Sequence, residues 1–137
     1  MRPPAGPVGL ISNPASGHNR DHFENIRARI ARHPAIHHCI TRSTADIAPA
    51  LRELSALNIG VLAINGGDGT AAAVLGELLE SQPFTTVPLI MLLPGGTANN
   101  TAGDIGARGA LDKAVARFCH WCDGERRTAH SIARRSL

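Results

Sequence analysis

At 137 residues, 43% of them hydrophobic, the chain is sized for one domain that buries a real core. No apolar run approaches the roughly 18 residues that span a bilayer and Met1-Arg2-Pro3-Pro4 lacks a leader's apolar centre, so the expectation is a cytoplasmic protein without a transmembrane segment. A net charge of +3, nearly all from arginine, suits an anionic partner without selecting one, while three irregularly spaced cysteines argue against a disulfide framework.

Apolar strand candidates recur near residues 8–12, 35–41, 59–65 and 87–93, with helical periodicity between them. That alternation is the signature of βαβ units and predicts an α/β, Rossmann-like three-layer domain on a parallel sheet. The first helix is expected from about Arg20 to Arg32, with Phe23, Ile26 and Ile30 on one face. A second fits Ala45 to Leu57, where Ile47, Leu51, Leu54 and Leu57 repeat at helical spacing, Ser43 or Thr44 caps the start, and Pro49 falls early enough to do little harm. A third opens at Thr70 and carries Val74, Leu75, Leu78 and Leu79. A last helix is expected over Ala110 to Cys122, its stripe made of Leu111, Ala114, Val115, Phe118 and Cys122, followed by a turn at Asp123-Gly124-Glu125-Arg126-Arg127.

Each of three apolar strands runs into a polar turn that contains glycine. Ile11-Ser12-Asn13-Pro14-Ala15-Ser16-Gly17 follows the first strand, Asn65-Gly66-Gly67-Asp68-Gly69-Thr70 the third, and Leu93-Pro94-Gly95-Gly96-Thr97-Ala98-Asn99-Asn100 the fourth. In an open parallel sheet ligands bind beyond the carboxyl ends of the strands, so all three turns would face one crevice. Glycines let backbone N–H groups approach an oxyanion, and the following helix points its positive end at the same place. Asp68 adds a carboxylate suited to Mg²⁺, a ribose hydroxyl or a catalytic water; its plain structural use would be to cap the helix. Thr70 offers a hydroxyl to phosphate or metal. Asn13, Ser16 and Gly17 can bond adenosine or phosphate oxygens, or can simply form an Asx-Pro turn.

The Asn-Pro-x-Ser-Gly, Gly-Gly-Asp-Gly-Thr and Pro-x-Gly-Thr-x-Asn series, in this order, resembles the diacylglycerol kinase catalytic-domain family. That family includes sphingosine kinases and bacterial lipid kinases, with NAD kinases and phosphofructokinases as distant relatives. The motifs lie within residues 8–106, and the resemblance implies a single ATP-binding domain over residues 1–137, without the β-rich carboxy-terminal domain that completes the site. It implies Mg²⁺ and ATP as cofactors, a lipid such as diacylglycerol at the membrane surface as substrate, and transfer of the γ-phosphoryl group to a lipid hydroxyl. The implied nucleotide contacts are Asn13, Pro14, Ser16, Gly17, Thr41, Gly66, Gly67, Asp68, Gly69, Thr70, Gly96, Thr97 and Asn99, with Asp68 organising metal and phosphate. The family's general base lies in the second domain, so this chain alone is expected to turn over little lipid, and the face left for that domain would also serve an oligomer contact.

Other readings are narrower. The family commonly has an Asn-Glu pair where this chain has Ala72-Ala73, and its third loop departs after Asn99, which leaves an NAD kinase-like or a non-catalytic nucleotide-sensing domain as alternatives. Gly67-x-Gly69-x-x-Ala72 satisfies a loose dinucleotide fingerprint, but the next strand ends in Leu92-Leu93-Pro94 without the expected acid. The single lysine, Lys113, is not preceded by P-loop glycines, which excludes an ordinary P-loop NTPase. Aromatics are limited to Phe23, Phe84, Phe118 and Trp121, too few for a base-stacking nucleic-acid module. His37 and His38 fall on opposite faces of a strand and cannot easily share a metal. Cys119 and Cys122 sit late in a helix, where buried packing suits them better than zinc or redox chemistry.

Overall fold

A computed structural model describes residues 7–15, 23–94 and 113–125. Four strands, β1 (Val8–Ser12), β2 (Ile36–Ile40), β3 (Val61–Gly66) and β4 (Leu89–Pro94), form one sheet in the order β2-β1-β3-β4, with every pairing parallel. Three helices connect them: α1 (Phe23–Ile30), α2 (Ile47–Ala56) and α3 (Asp68–Ser81). A fourth, α4, is described over residues 113–120 and runs into a π-helical turn, Trp121–Glu125. The expected α/β class and parallel sheet are what the chain adopts.

Residue alternation along the strands divides the core in two. Val8, Leu10, Val61, Ala63 and Met91 face Ile26 and Ile30 of α1 and Val115, Phe118 and Trp121 at the carboxyl end of the chain. Ile11, Leu62 and Ile64 face Ile47, Leu51 and Leu54 of α2 and Val74 of α3. Strands covered on both faces read as continuous apolar runs, which explains why β1 and β3 were legible without any polar alternation. α1 lies on one face and α2 and α3 on the other, as right-handed crossovers require when the chain steps first outward to β2 and then back past β1 to β3. Gly9 lets α2 approach β1 closely: a Cβ there would lie 2.8 Å from Ile59 Cδ1 and 3.0 Å from both Leu54 methyls.

Several details depart from the sequence-based expectation. The second helix begins with a 3-10 turn, Thr44–Asp46, where the Asp46 carboxylate accepts the N–H groups of Arg42 (2.8 Å) and Ser43 (3.3 Å). α3 starts at Asp68, ahead of the expected Thr70, and buries Val74 with Ala71, Ala73 and Leu78 against the core, leaving Leu75 and Leu79 exposed. The helix lies over β3 with only one narrow stripe inward, so the leucines at the outer edge of the expected stripe meet solvent. Asp123 to Glu125 continue the last helix as its π-helical turn, where a reverse turn was expected. His33 Nδ1 and Asp123 Oδ2, 2.7 Å apart, tie that turn to the loop after α1. Cys119 and Cys122 are buried in the core as expected. Among the described residues no helix is long and apolar enough to cross a membrane.

His37 and His38 diverge as the strand period dictates. His38 lies on the α1 side, its ring 6.0 Å from that of Phe23. Burial, with help from the Arg27 guanidinium, pulls its imidazole from the usual 6.5 down to about 4. The folded chain therefore keeps His38 neutral where an unfolded chain would protonate it, so stability present above pH ~6.5 is lost as pH falls toward 4. Between pH 7 and pH 5 this loss amounts to about 2 kcal/mol, and urea denaturation of His38→Gln at the two pH values should show a smaller decline than the parent by that amount. Leu54→Ala, at a fully buried contact with β1, should lower unfolding free energy by about 2–5 kcal/mol in the same assay at pH 7.

Candidate functional site

The order β2-β1-β3-β4 puts the topological switch between β1 and β3. Connections leave these neighbours toward opposite edges of the sheet, opening a crevice at their carboxyl ends. Two of the three expected turns are described there, and hydrogen bonds hold them together. The Asn13 N–H donates to the Asn65 carbonyl at 3.0 Å, extending the β1–β3 ladder by one rung. The Asn13 side chain then works in two directions: its Oδ1 accepts the Ala15 N–H at 3.0 Å, and its Nδ2 donates to Thr70 Oγ1 at 3.2 Å. The Asx turn expected of an Asn-Pro pair does form, and the same residue reaches the first turn of α3.

Gly66 closes β3, and its missing Cβ makes room for Thr70. A methyl there would lie 2.7 Å from Thr70 Cβ and 2.9 Å from Thr70 Oγ1. Gly67, in an extended conformation, is the N-cap of α3. The first i→i−4 bond of the helix is made by Ala71 N–H to the Gly67 carbonyl at 3.0 Å, so the N–H groups of Asp68, Gly69 and Thr70 precede the helical ladder and point toward the crevice end. Asp68 is the first helical residue and is exposed; the capping position that would have explained it structurally belongs to Gly67. This arrangement offers backbone donors at a helix N-terminus to an anion, with a solvent-facing carboxylate beside them for a cation.

Thr41 sits behind this rim. It is buried, its N–H donates to the Ser12 carbonyl at 2.9 Å, and its hydroxyl lies 3.5 Å from the same oxygen. Pro14 is half-buried in the turn after Asn13. Ser16, Gly17, Gly96, Thr97 and Asn99 lie outside the described residues.

Beneath the rim the structure joins three polar residues to which the sequence assigns no shared role. Ser12 and Asn65 are fully buried and directly opposite each other in the β1–β3 register. Asn65 Nδ2 donates to Ser12 Oγ at 3.3 Å, and Ser12 Oγ lies 2.7 Å from His38 Nε2. Ser12 and Asn65 carry a signal as polar side chains near the ends of otherwise apolar strands, whereas His38 sits mid-strand in β2. At the open edge of β2, by contrast, Cys39 is unsuited to nucleophilic work: burial and the adjacent Glu53 carboxylate push its thiol up to about 11.

The residues match the family description "Diacylglycerol kinase catalytic domain" over positions 7–132. Among curated proteins, the chain is 33% identical over 106 residues to the "Probable lipid kinase YegS" of Escherichia fergusonii, covering 77% of this chain and 35% of that protein. It is 34% identical over the same length to the protein of that name from Escherichia coli, again at 35% of its length. The chain thus spans about a third of the curated relatives it matches. The fold is shared with a crystal structure of a diacylglycerol kinase from Bacillus anthracis, at a TM-score of 0.59 and 24% identity over 83% of this chain and 42% of that one. With the family pattern running from before β1 to beyond α4, and its glycine turn closing β3 at the switch point, this chain belongs to the diacylglycerol kinase catalytic-domain family.

Proposed function

We propose that this chain is the ATP-binding domain of a diacylglycerol kinase-type lipid kinase, which transfers the γ-phosphoryl group of ATP to a lipid hydroxyl. The observation that carries the reading is the joining of the Asn13 turn to the Gly66–Thr70 turn at one sheet edge, with Asp68 exposed beside the start of α3. Phosphoryl transfer needs little covalent work from a protein; it needs phosphates held in place and their charge neutralised. The N–H groups at the start of α3 suit the phosphate oxygens, and Gly69, where a Cβ would meet nothing within 4 Å, leaves the backbone open to close approach.

Mg²⁺ fits this donor set. Asp68 is a hard oxygen ligand open to solvent, and among the described residues no cluster of three or more His, Cys, Asp or Glu competes as a metal cage. A single carboxylate with phosphate oxygens and water completing the shell is the usual way of holding this ion, which neutralises phosphate charge when bound. In this reading Asn13 and Thr70 fix the spacing of the two turns, while Thr41 supports the first from behind. Ser16, Gly17, Gly96, Thr97 and Asn99 supply the remaining nucleotide contacts by their place in the family motifs. A lipid hydroxyl is presented at a membrane surface, so the protein acts there peripherally, from the cytoplasm.

A non-catalytic nucleotide-sensing role is the second reading, favoured by Ala72 and Ala73, the latter packed against the core where the family commonly carries polar residues. Calorimetric titration with Mg·ATP tests the common ground: saturable binding is expected, and Asp68→Ala should raise Kd at least about tenfold. Even slow phosphorylation of diacylglycerol vesicles by the chain would favour the kinase over the sensor. Gly66→Ala, which drives a methyl into Thr70, should also weaken Mg·ATP about tenfold while leaving the far-ultraviolet circular dichroism spectrum unchanged. Wild-type affinity from that variant would remove the glycine turn from the site.

A further inference from the structure

The polar chain beneath the rim goes beyond what the sheet itself requires. Ser12, Asn65 and His38 stand on three adjacent strands, at positions where valine or isoleucine would continue the apolar core. Burying such groups is unfavourable unless each is bonded. Ser12 Oγ has one proton to give and no access to water, and it already accepts from Asn65 Nδ2 at 3.3 Å. His38 Nε2 lies 2.7 Å away, and it accepts that proton in the tautomer that carries the imidazole proton on Nδ1. Phe23 packs on the ring and limits its freedom to turn away. The chain of contacts continues upward, because the Asn65 carbonyl holds the Asn13 N–H and the Asn13 amide holds Thr70.

We propose that His38 is a positioning residue for the crevice: as the neutral acceptor of the Ser12 hydroxyl it orients Ser12 toward Asn65 and thereby sets the spacing between the turn after β1 and the glycine turn after β3. Its effect on ligand affinity rests on the nucleotide reading above, whereas its effect on the two turns is readable in the unliganded chain. Glutamine at this position keeps an acceptor at a similar reach; leucine keeps bulk and removes it.

The test uses the 137-residue chain and the variants His38→Gln, His38→Leu and Ser12→Ala. Amide hydrogen exchange at Asn13, Gly66 and Gly67 is compared with the central-strand amide of Leu62, alongside Mg·ATP titration at pH 7.5. Loss of one buried hydrogen bond predicts that His38→Leu and Ser12→Ala speed exchange at the rim about tenfold more than at Leu62 and raise Kd about tenfold, with His38→Gln within about twofold of the parent. If His38→Leu does not fold, Ser12→Ala and His38→Gln decide the matter alone. Uniform acceleration at rim and centre alike, or a His38→Gln variant as impaired at the rim as Ser12→Ala, would overturn the proposal and reduce His38 to packing. Selective rim exchange in a chain that binds no Mg·ATP, parent included, would leave the positioning role standing and remove the nucleotide reading.

Discussion

The crevice depends on β1 and β3 lying side by side in register, with Ser12 opposite Asn65. That pairing is non-local: 53 residues separate the two positions, and α1, β2 and α2 intervene. Closing so long a connection is entropically unfavourable, and what offsets it is the burial of Val8, Leu10 and Ile11 against Val61, Ala63 and Ile64 from both faces. The core therefore does more than stabilise the domain. It brings two turns from distant parts of the sequence to one sheet edge.

The sheet also changes character along its length. In β1, β3 and β4 the amino-terminal part is apolar, while at the carboxyl ends of the strands Ser12, Asn65 and Thr41 are buried polar residues. A fully apolar end would be at least as stable. Hydrogen-bonded polar groups instead impose direction, because they are satisfied in few arrangements, whereas apolar side chains tolerate small slips. Placing them at the rim confines that directional demand to the part of the fold where a fraction of an ångström matters.

Much of this was legible in the residues. The apolar runs of β1 and β3 mark strands because strands buried on both faces carry no ambiguity of alternation, and the glycines after β3 mark its turn. Asp68 was found for its place between glycines, although its position one residue inside the helix, with Gly67 as the cap, needed the backbone. The failures are instructive. Leu75 and Leu79 satisfied helical periodicity, yet periodicity does not say how wide a stripe a neighbouring sheet can cover. Ser12, His38 and Asn65 are separated by 26 and 27 residues, so only the parallel register makes them neighbours. Alone, Ser12 and Asn65 read as ordinary polar residues near a strand's end and His38 as one of a mid-strand histidine pair.

One property of the rim follows from the chemistry of its bonds. Asn13 to Thr70, Asn65 to Ser12 and Ser12 to His38 are all contacts between uncharged groups. Dissolved salt weakens attraction between ions over distances of about 10 Å at 0.1 M, but it has little grip on short bonds between neutral dipoles inside a protein. The crevice is thus built from parts that ionic strength leaves alone, and an anion drawn to it is held by forces that ionic strength weakens. Shape and attraction at this edge of the sheet are separable variables, and salt concentration moves only the second.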